Sequence, residues 1–190
     1  TTTTHIFRPS SEKLAQNEQE LEQIWHTGNW AVIGTVDPVQ PQKLQSPKPY
    51  WLQRAAELAD LILIEADGSK RLPCKVPASH EPVILPQTDV VVAVLGLSAL
   101  NRPLKDCCFR LEKATELLSV TESHPLTREH MATIFASGQG LRKATNNSEY
   151  VVVLNQCDNE ERRNVGEQIS GILCGMDSSI SHIVLTKLHS

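Results

Sequence analysis

Tyr150-Val151-Val152-Val153-Leu154 runs directly into Asn155-Gln156-Cys157-Asp158. A short β-branched run that is apolar throughout, rather than alternating, reads as a strand buried on both faces. Four other segments share this character: Trp30 to Val36, Leu61 to Ala66, Val90 to Leu95 and Ile180 to Thr186. Helical patterns lie between most of them. Ser11 to His26 carries Leu14, Leu21, Ile24 and Trp25 as a sparse apolar stripe, with Ser10 or Ser11 placed to cap it. Pro49 to Ala59, Arg110 to Leu118, Thr127 to Ser137 and Asn159 to Leu173 follow. Strands alternating with helices predict the α/β class, with a doubly wound, mostly parallel sheet in one domain spanning residues 1–190. In such sheets ligands gather beyond the carboxyl ends of the strands, so the residues after each strand are the candidates for chemistry.

Composition narrows the function. The 190 residues carry 18 Lys and Arg against 22 Asp and Glu, a net charge of -4, and no basic stretch longer than Lys70-Arg71 or Arg162-Arg163. Nucleic acid is therefore not an expected partner. The longest strongly apolar run, Val90 to Leu97, is far short of the roughly 20 residues that span a bilayer, and no membrane partner is expected. Thr1 to His5 has neither the charged nor the apolar region of a secretory signal. Five cysteines, Cys74, Cys107, Cys108, Cys157 and Cys174, are an odd number without a CxxC spacing, which reads as reduced thiols in a cytoplasm rather than a zinc site.

Three segments carry residues suited to chemistry. Leu61-Ile62-Leu63-Ile64 leads into Glu65-Ala66-Asp67-Gly68-Ser69-Lys70. On a strand, the period of two puts Glu65 and Asp67 on one side, where two carboxylates can hold the water shell of Mg²⁺ while Lys70 meets a phosphate. The alternative is a plain strand followed by an Asp-Gly turn. The segment Pro73 to Pro86 has four prolines in 14 residues, and its Lys75, His80 and Glu81 supply a cation, a titratable imidazole and a carboxylate. These could bind an anionic substrate or transfer a proton, or simply be solvated charges on a rigid loop. Asn155-Gln156-Cys157-Asp158 is close to the Asn-Lys-x-Asp signature with which GTPases read guanine, except that Gln156 replaces the Lys. Asp158 is equally placed to cap the next helix, with Glu161 three residues on.

Taken together, Thr2-Thr3-Thr4-His5-Ile6, Glu65 to Lys70, Lys75 to Pro86 with its His80-Glu81-Pro82, Gly96-Leu97-Ser98-Ala99-Leu100, Pro103-Leu104 and Leu154 to Asp158 resemble the YqeC family. That family is described as selenium-dependent hydroxylase accessory proteins, also called selenium cofactor biosynthesis proteins. The resemblance implies a three-layer P-loop NTPase-like, Rossmann-like fold and a nucleotide-binding role in maturing selenium-dependent molybdenum hydroxylases, with Mg²⁺ and ATP or GTP. It implies that Asp67 and Glu65 hold the metal and, with Lys70 and His80, form the catalytic set. Thr3, Thr4, Asn155, Gln156 and Asp158 would serve the nucleotide, and Lys75, His80 and Glu81 a substrate. A non-catalytic chaperone for a molybdopterin-type cofactor or for the apo-hydroxylase, and selenium chemistry at Cys74 or Cys107-Cys108, are the competing expectations.

Family members usually begin with a strand, a phosphate loop ending in Gly-Lys-Thr or similar, and a helix, all ahead of the Thr-Thr-Thr-His run. No Gly-x-x-x-x-Gly-Lys-Ser/Thr occurs in this sequence; Ser137 to Lys143 has the glycines without the spacing. The resemblance thus predicts an amino-terminally incomplete domain, lacking the first strand, phosphate loop and helix, in which hydrolysis is impaired. Asn101, where a Gly is common, and Cys107-Cys108-Phe109-Arg110 depart from the family pattern.

Overall fold

A computed structural model describes residues 4, 5, 13–28, 30–41, 43–145 and 147–187, with residues 4, 5 and 43 described by backbone only. The chain divides into two compact units, Thr1–Gly68 and Ser69–Ser190.

The first unit holds β1 (Thr4–His5), β2 (Leu14–Ala15), α1 (Glu18–Thr27), β3 (Val32–Ile33), β4 (Thr35–Val36), β5 (Lys43–Gln45) and α2 (Pro49–Leu58). β5 pairs antiparallel with both β1 and β4, while β2 and β3 are parallel. Helix α1 starts at Asn17, whose side chain accepts from the Glu20 N–H at 3.0 Å, leaving Ser10 and Ser11 outside the described residues. Pro49 opens α2, where a fixed φ helps and a missing N–H costs nothing. The two helices bury Leu21, Ile24 and Trp51 with Ala15 in a small core. The strand expected over Trp30 to Val36 is split at Gly34, where a Cβ would sit 3.0 Å from a Leu44 methyl and 3.2 Å from the Gln45 carbonyl.

The strand expected over Leu61 to Ala66 does not form. Residues 61–69 are without regular structure, and Leu63 is 87% exposed. Apolar composition makes a run eligible for a sheet, but the ladder itself requires a partner strand, and no strand among the described residues is paired with this run. The period-of-two placement of Glu65 and Asp67 fails with the strand.

The second unit contains β6 (Cys74–Lys75), β7 (Val90–Gly96), α3 (Leu104–Cys107), β8 (Cys108–Phe109), α4 (Leu111–Leu118), α5 (Arg128–Ala136), β9 (Glu149–Asn155), α6 (Glu160–Met176) and β10 (His182–Leu185). β9 lies centrally between β10 and β7, all parallel, with Val90 opposite Glu149 and Gly96 opposite Asn155. A second parallel pair joins β6 and β8. Tyr150, Val152 and Leu154 on β9 and Ala93 and Leu95 on β7 enter a core shared with Met131, Ile134, Phe135, Ile169 and Leu173. Each large side chain so buried contributes about 1.5–3 kcal/mol. The Tyr150 hydroxyl donates to the Phe135 carbonyl at 2.8 Å, satisfying both buried groups.

Burial on both faces, expected from the continuous apolar runs, is not what β7 shows: Val90, Val92 and Val94 are exposed while Ala93 and Leu95 are buried. The architecture is mixed α/β with mostly parallel strands, compatible with a Rossmann-like fold, distributed over small sheets rather than one sheet of five strands.

Candidate functional site

The carboxyl ends of β7, β9 and β10 lie side by side, and the residues leaving them are locked to one another. Asn155 Oδ1 accepts from the Gln156 N–H at 2.8 Å and from Thr186 Oγ1 at 2.9 Å. The Cys157 N–H in turn donates to the Thr186 carbonyl at 2.9 Å. Gln156 takes a left-handed conformation, φ 62°, and its side-chain oxygen accepts a short hydrogen bond from Ser98 Oγ. That side chain lies against Gly96, where any Cβ would collide with it and stand 3.0 Å from Pro73 Cβ. Gly96 is therefore a close-approach position, and its N–H also donates to the Pro73 carbonyl at 2.7 Å.

Asp158 stands at the rim, 39% exposed, accepting from Arg162 Nη1 at 2.9 Å. The same guanidinium donates to the Gln156 carbonyl at 3.2 Å. The cap of α6 is Asn159, which accepts from the Arg162 N–H at 2.9 Å, so the expectation that Asp158 caps this helix is corrected. Asn159 has the extended backbone of a cap, which leaves Asp158 one residue outside the helix.

Pro73 leads into a second cluster. Lys75, 4% exposed, places Nζ 3.0 Å from Glu81 Oε2, which also accepts from the Ala78 N–H at 3.1 Å. Arg110 Nη2 donates to the other oxygen, Glu81 Oε1, at 3.3 Å. Burial works to raise the Glu81 pKa, but the Ala78 amide, Arg110 and Lys75 outweigh it and hold the carboxyl down at about 2. Lys143 Nζ donates to the carbonyls of Ala78, Ser79 and Glu81, each at 2.7 Å, bracing the loop. His80 is exposed in the turn between them.

Lys70 and Arg71 are consecutive left-handed residues, φ 52° and 65°, and Arg110 is another, φ 66°. The Phe109 ring has Lys70 Nζ 5.0 Å, Lys75 Nζ 5.6 Å and the Arg110 guanidinium carbon 4.7 Å from its centroid. Lys75 and Phe109 are register partners on β6 and β8, which is how they come together.

Of the other expected residues, Thr3 lies outside the described residues and Thr4 is in β1. Glu65 is exposed and Asp67 half-buried, both at the end of the first unit, with Glu65 Oε1 4.0 Å from where a Gly68 Cβ would be. Two carboxylates two residues apart in one irregular segment are a chemically suitable donor set for Mg²⁺, which is commonly held by one or two carboxylates, waters and substrate phosphates. Among the described residues no cluster of three or more His, Cys, Asp or Glu is assembled for a metal.

Cys74 and Cys108 face each other in register, with Cys107 beside them, and all three are buried. The hydrogen bond to Cys108, burial and the neighbouring sulfurs push the Cys74 thiol well up, and burial raises Cys107 to about 11. Thiols held protonated are poor nucleophiles, which counts against selenium chemistry there.

Sequence patterns assign no site role to Thr186, Arg162, Phe109, Arg110 or Lys143. Thr186 alone had a local signal, as the residue leaving the last strand; the others reach the site from helix positions, a short strand or a distant turn.

Such an arrangement, mostly parallel strands whose exit loops are cross-linked by polar side chains, defines an α/β protein of the kind that places ligands at strand ends. The chain belongs to the YqeC family: the profile described as YqeC protein matches residues 1–112. That span includes Glu65 to Lys70, the Lys75–Glu81 loop, Phe109 and Arg110. It is also 28% identical over 155 residues to a protein of Escherichia coli (strain K12) named "Uncharacterized protein YqeC", the match covering 75% of this chain and 58% of that protein. The chain therefore spans less than two thirds of the length of this relative. No solved structure matches. No helix among the described residues is long and apolar enough to cross a membrane.

Proposed function

We propose that the protein is a nucleotide-binding accessory protein, with a P-loop NTPase-like ancestry of fold, serving the maturation of selenium-dependent molybdenum hydroxylases with Mg²⁺ and ATP or GTP. The client reaction rests on the family resemblance. The single observation that carries nucleotide binding is the loop after β9, where Asn155 spends its amide oxygen on Gln156 and Thr186 and so presents Asp158 at the rim. A carboxylate fixed there can accept from a ring N–H and an exocyclic amine of a base, while Arg162 limits its freedom. The family resemblance gives Glu65 and Asp67 the metal; within the second unit Lys70 would supply charge to a phosphate and His80 a titratable ring open to solvent. The bound metal would supply charge neutralisation of the phosphates.

Calorimetric titration of the natural full-length protein with ATP and GTP in the presence of Mg²⁺ tests this reading. Binding of one nucleotide is expected, with Asp158→Asn weakening it at least about tenfold, the scale on which a lost polar contact to a base discriminates. Failure of every ribonucleoside triphosphate to bind defeats the reading.

The Lys75 to Pro86 loop favours a second role, docking a molybdopterin-type cofactor or the apo-hydroxylase, because Glu81 and Lys143 hold it rigid with His80 outermost. His80→Ala is then expected to abolish hydroxylase maturation while nucleotide affinity is retained; unchanged maturation would remove this role.

A further inference from the structure

We propose that Lys70 and Arg110, gathered around the Phe109 ring, form a binding site for the terminal phosphate of a phosphate-bearing ligand. The cationic heads of Lys70, Lys75 and Arg110 all lie within 5.6 Å of one point, the ring centroid. Cations drawn together on an aromatic face repel one another, and Glu81 is a carboxylate partner of two of them, Lys75 and Arg110. Glu81 is already engaged by Lys75, the Ala78 N–H and Arg110, so it does not neutralise Lys70. The Lys70 side chain is exposed and makes no ion pair or hydrogen bond among the described residues; its ammonium contacts the Phe109 ring face.

Arg110 provides the independent observation. Its Nε is buried with no hydrogen-bond partner, although the guanidinium has one long bond, at Nη2, to Glu81. An orphaned buried donor on a charged group is costly, and retention of such a group is explained when a ligand completes its fork. A phosphate offers several acceptor oxygens and a double charge, which matches a planar Arg fork beside a point-charge Lys better than a neutral ligand does. Backbone conformation supports the same place: Lys70, Arg71 and Arg110 are non-glycine residues in the left-handed region, the kind of strain that clusters at ligand sites.

The site shares Lys70 with the nucleotide reading but stands without it, since it makes no use of the Asp158 loop or of a base. The full chain would be titrated calorimetrically, at low ionic strength, with inorganic pyrophosphate, with ATP and with adenosine. Pyrophosphate is expected to bind and to weaken as salt is added. Lys70→Asn, which keeps a residue tolerant of the left-handed turn, is expected to weaken pyrophosphate at least tenfold, and Lys70→Arg to restore most of it. Arg110→Asn is expected to do the same as Lys70→Asn; should it fail to fold, the exposed Lys70 variants decide alone. No pyrophosphate binding, or equal binding by wild type and Lys70→Asn, overturns the proposal. ATP binding that responds to Asp158→Asn but not to Lys70→Asn would overturn this site and leave the nucleotide reading standing. Pyrophosphate binding lost in Lys70→Asn, with no nucleotide selectivity at Asp158, would do the reverse.

Discussion

Leu61-Ile62-Leu63-Ile64 and Val90-Val91-Val92-Ala93-Val94-Leu95 are alike in composition and opposite in fate. The second becomes β7, hydrogen-bonded in register to β9 from Val90 opposite Glu149 to Gly96 opposite Asn155. The first has no ladder partner among the described residues, and its Leu61 and Leu63 are exposed. Strand formation is thus a property of a pair of segments. A row of β-branched and aliphatic residues lowers the cost of extension, but the backbone groups must still be answered by a neighbour.

The comparison can be broken most severely by placing a charge in each run. Leu95→Asp buries an unpaired carboxylate in the core and is expected to cost more than about 4 kcal/mol or to prevent folding of the second unit, whereas Leu63→Asp is expected to stay within about 0.5 kcal/mol. Urea unfolding measures both, and equal losses would show that Leu63 is as deeply packed as Leu95.

Acid probes the next largest effect, at the loop that leaves the Leu61 region and returns to β7. Glu81 titrates at about 2 when folded and in the ordinary carboxylate range when unfolded, so the unfolded state takes up the proton first as pH falls. Its stabilisation is present above the unfolded value and is lost as pH falls toward 2, a loss of order 3 kcal/mol. Glu81→Gln should flatten that part of the stability profile; an unchanged slope between about pH 5 and 2 would show that Lys75 and Arg110 do not hold the carboxylate in solution.

The smallest test sharpens the account of why the β7–β9 pair is secure. Tyr150→Phe removes the hydroxyl bonded to the Phe135 carbonyl and is expected to cost about 1–2 kcal/mol by thermal or urea unfolding. A neutral outcome would mean that the packing of the ring, rather than its hydrogen bond, secures β9.

Local signals made much of the fold legible. Pro49 opening α2, the apolar spacing of α5 and α6, and the runs of β7 and β9 all act within a few residues of themselves. Leu61 to Ala66 reads as a strand and forms none because the missing quantity, a partner strand, is not written in the run. The same division holds in the site. Asn155 belongs to a short polar motif directly after a strand, visible in the sequence, and the structure has it bonded to Gln156 and Thr186. Arg110 meets Glu81 from 29 residues away, and Lys143 meets the Ala78 carbonyl from 65. No periodicity or spacing rule reports such meetings; they follow from the parallel pairing of β6 with β8 and from the turn before β9.

Lys143 gives the Lys75–Glu81 loop an unusual kind of permanence. Three carbonyl oxygens at 2.7 Å around one ammonium resemble the shell of a bound monovalent ion, except that this ion is covalently attached to the chain. Dialysis or exchange of sodium for potassium cannot empty such a shell. Acetylation can, because it removes the charge and two of the ammonium's three donors at once. The three Lys143 contacts are therefore indifferent to which monovalent salt is present, and they last as long as the ammonium keeps its charge.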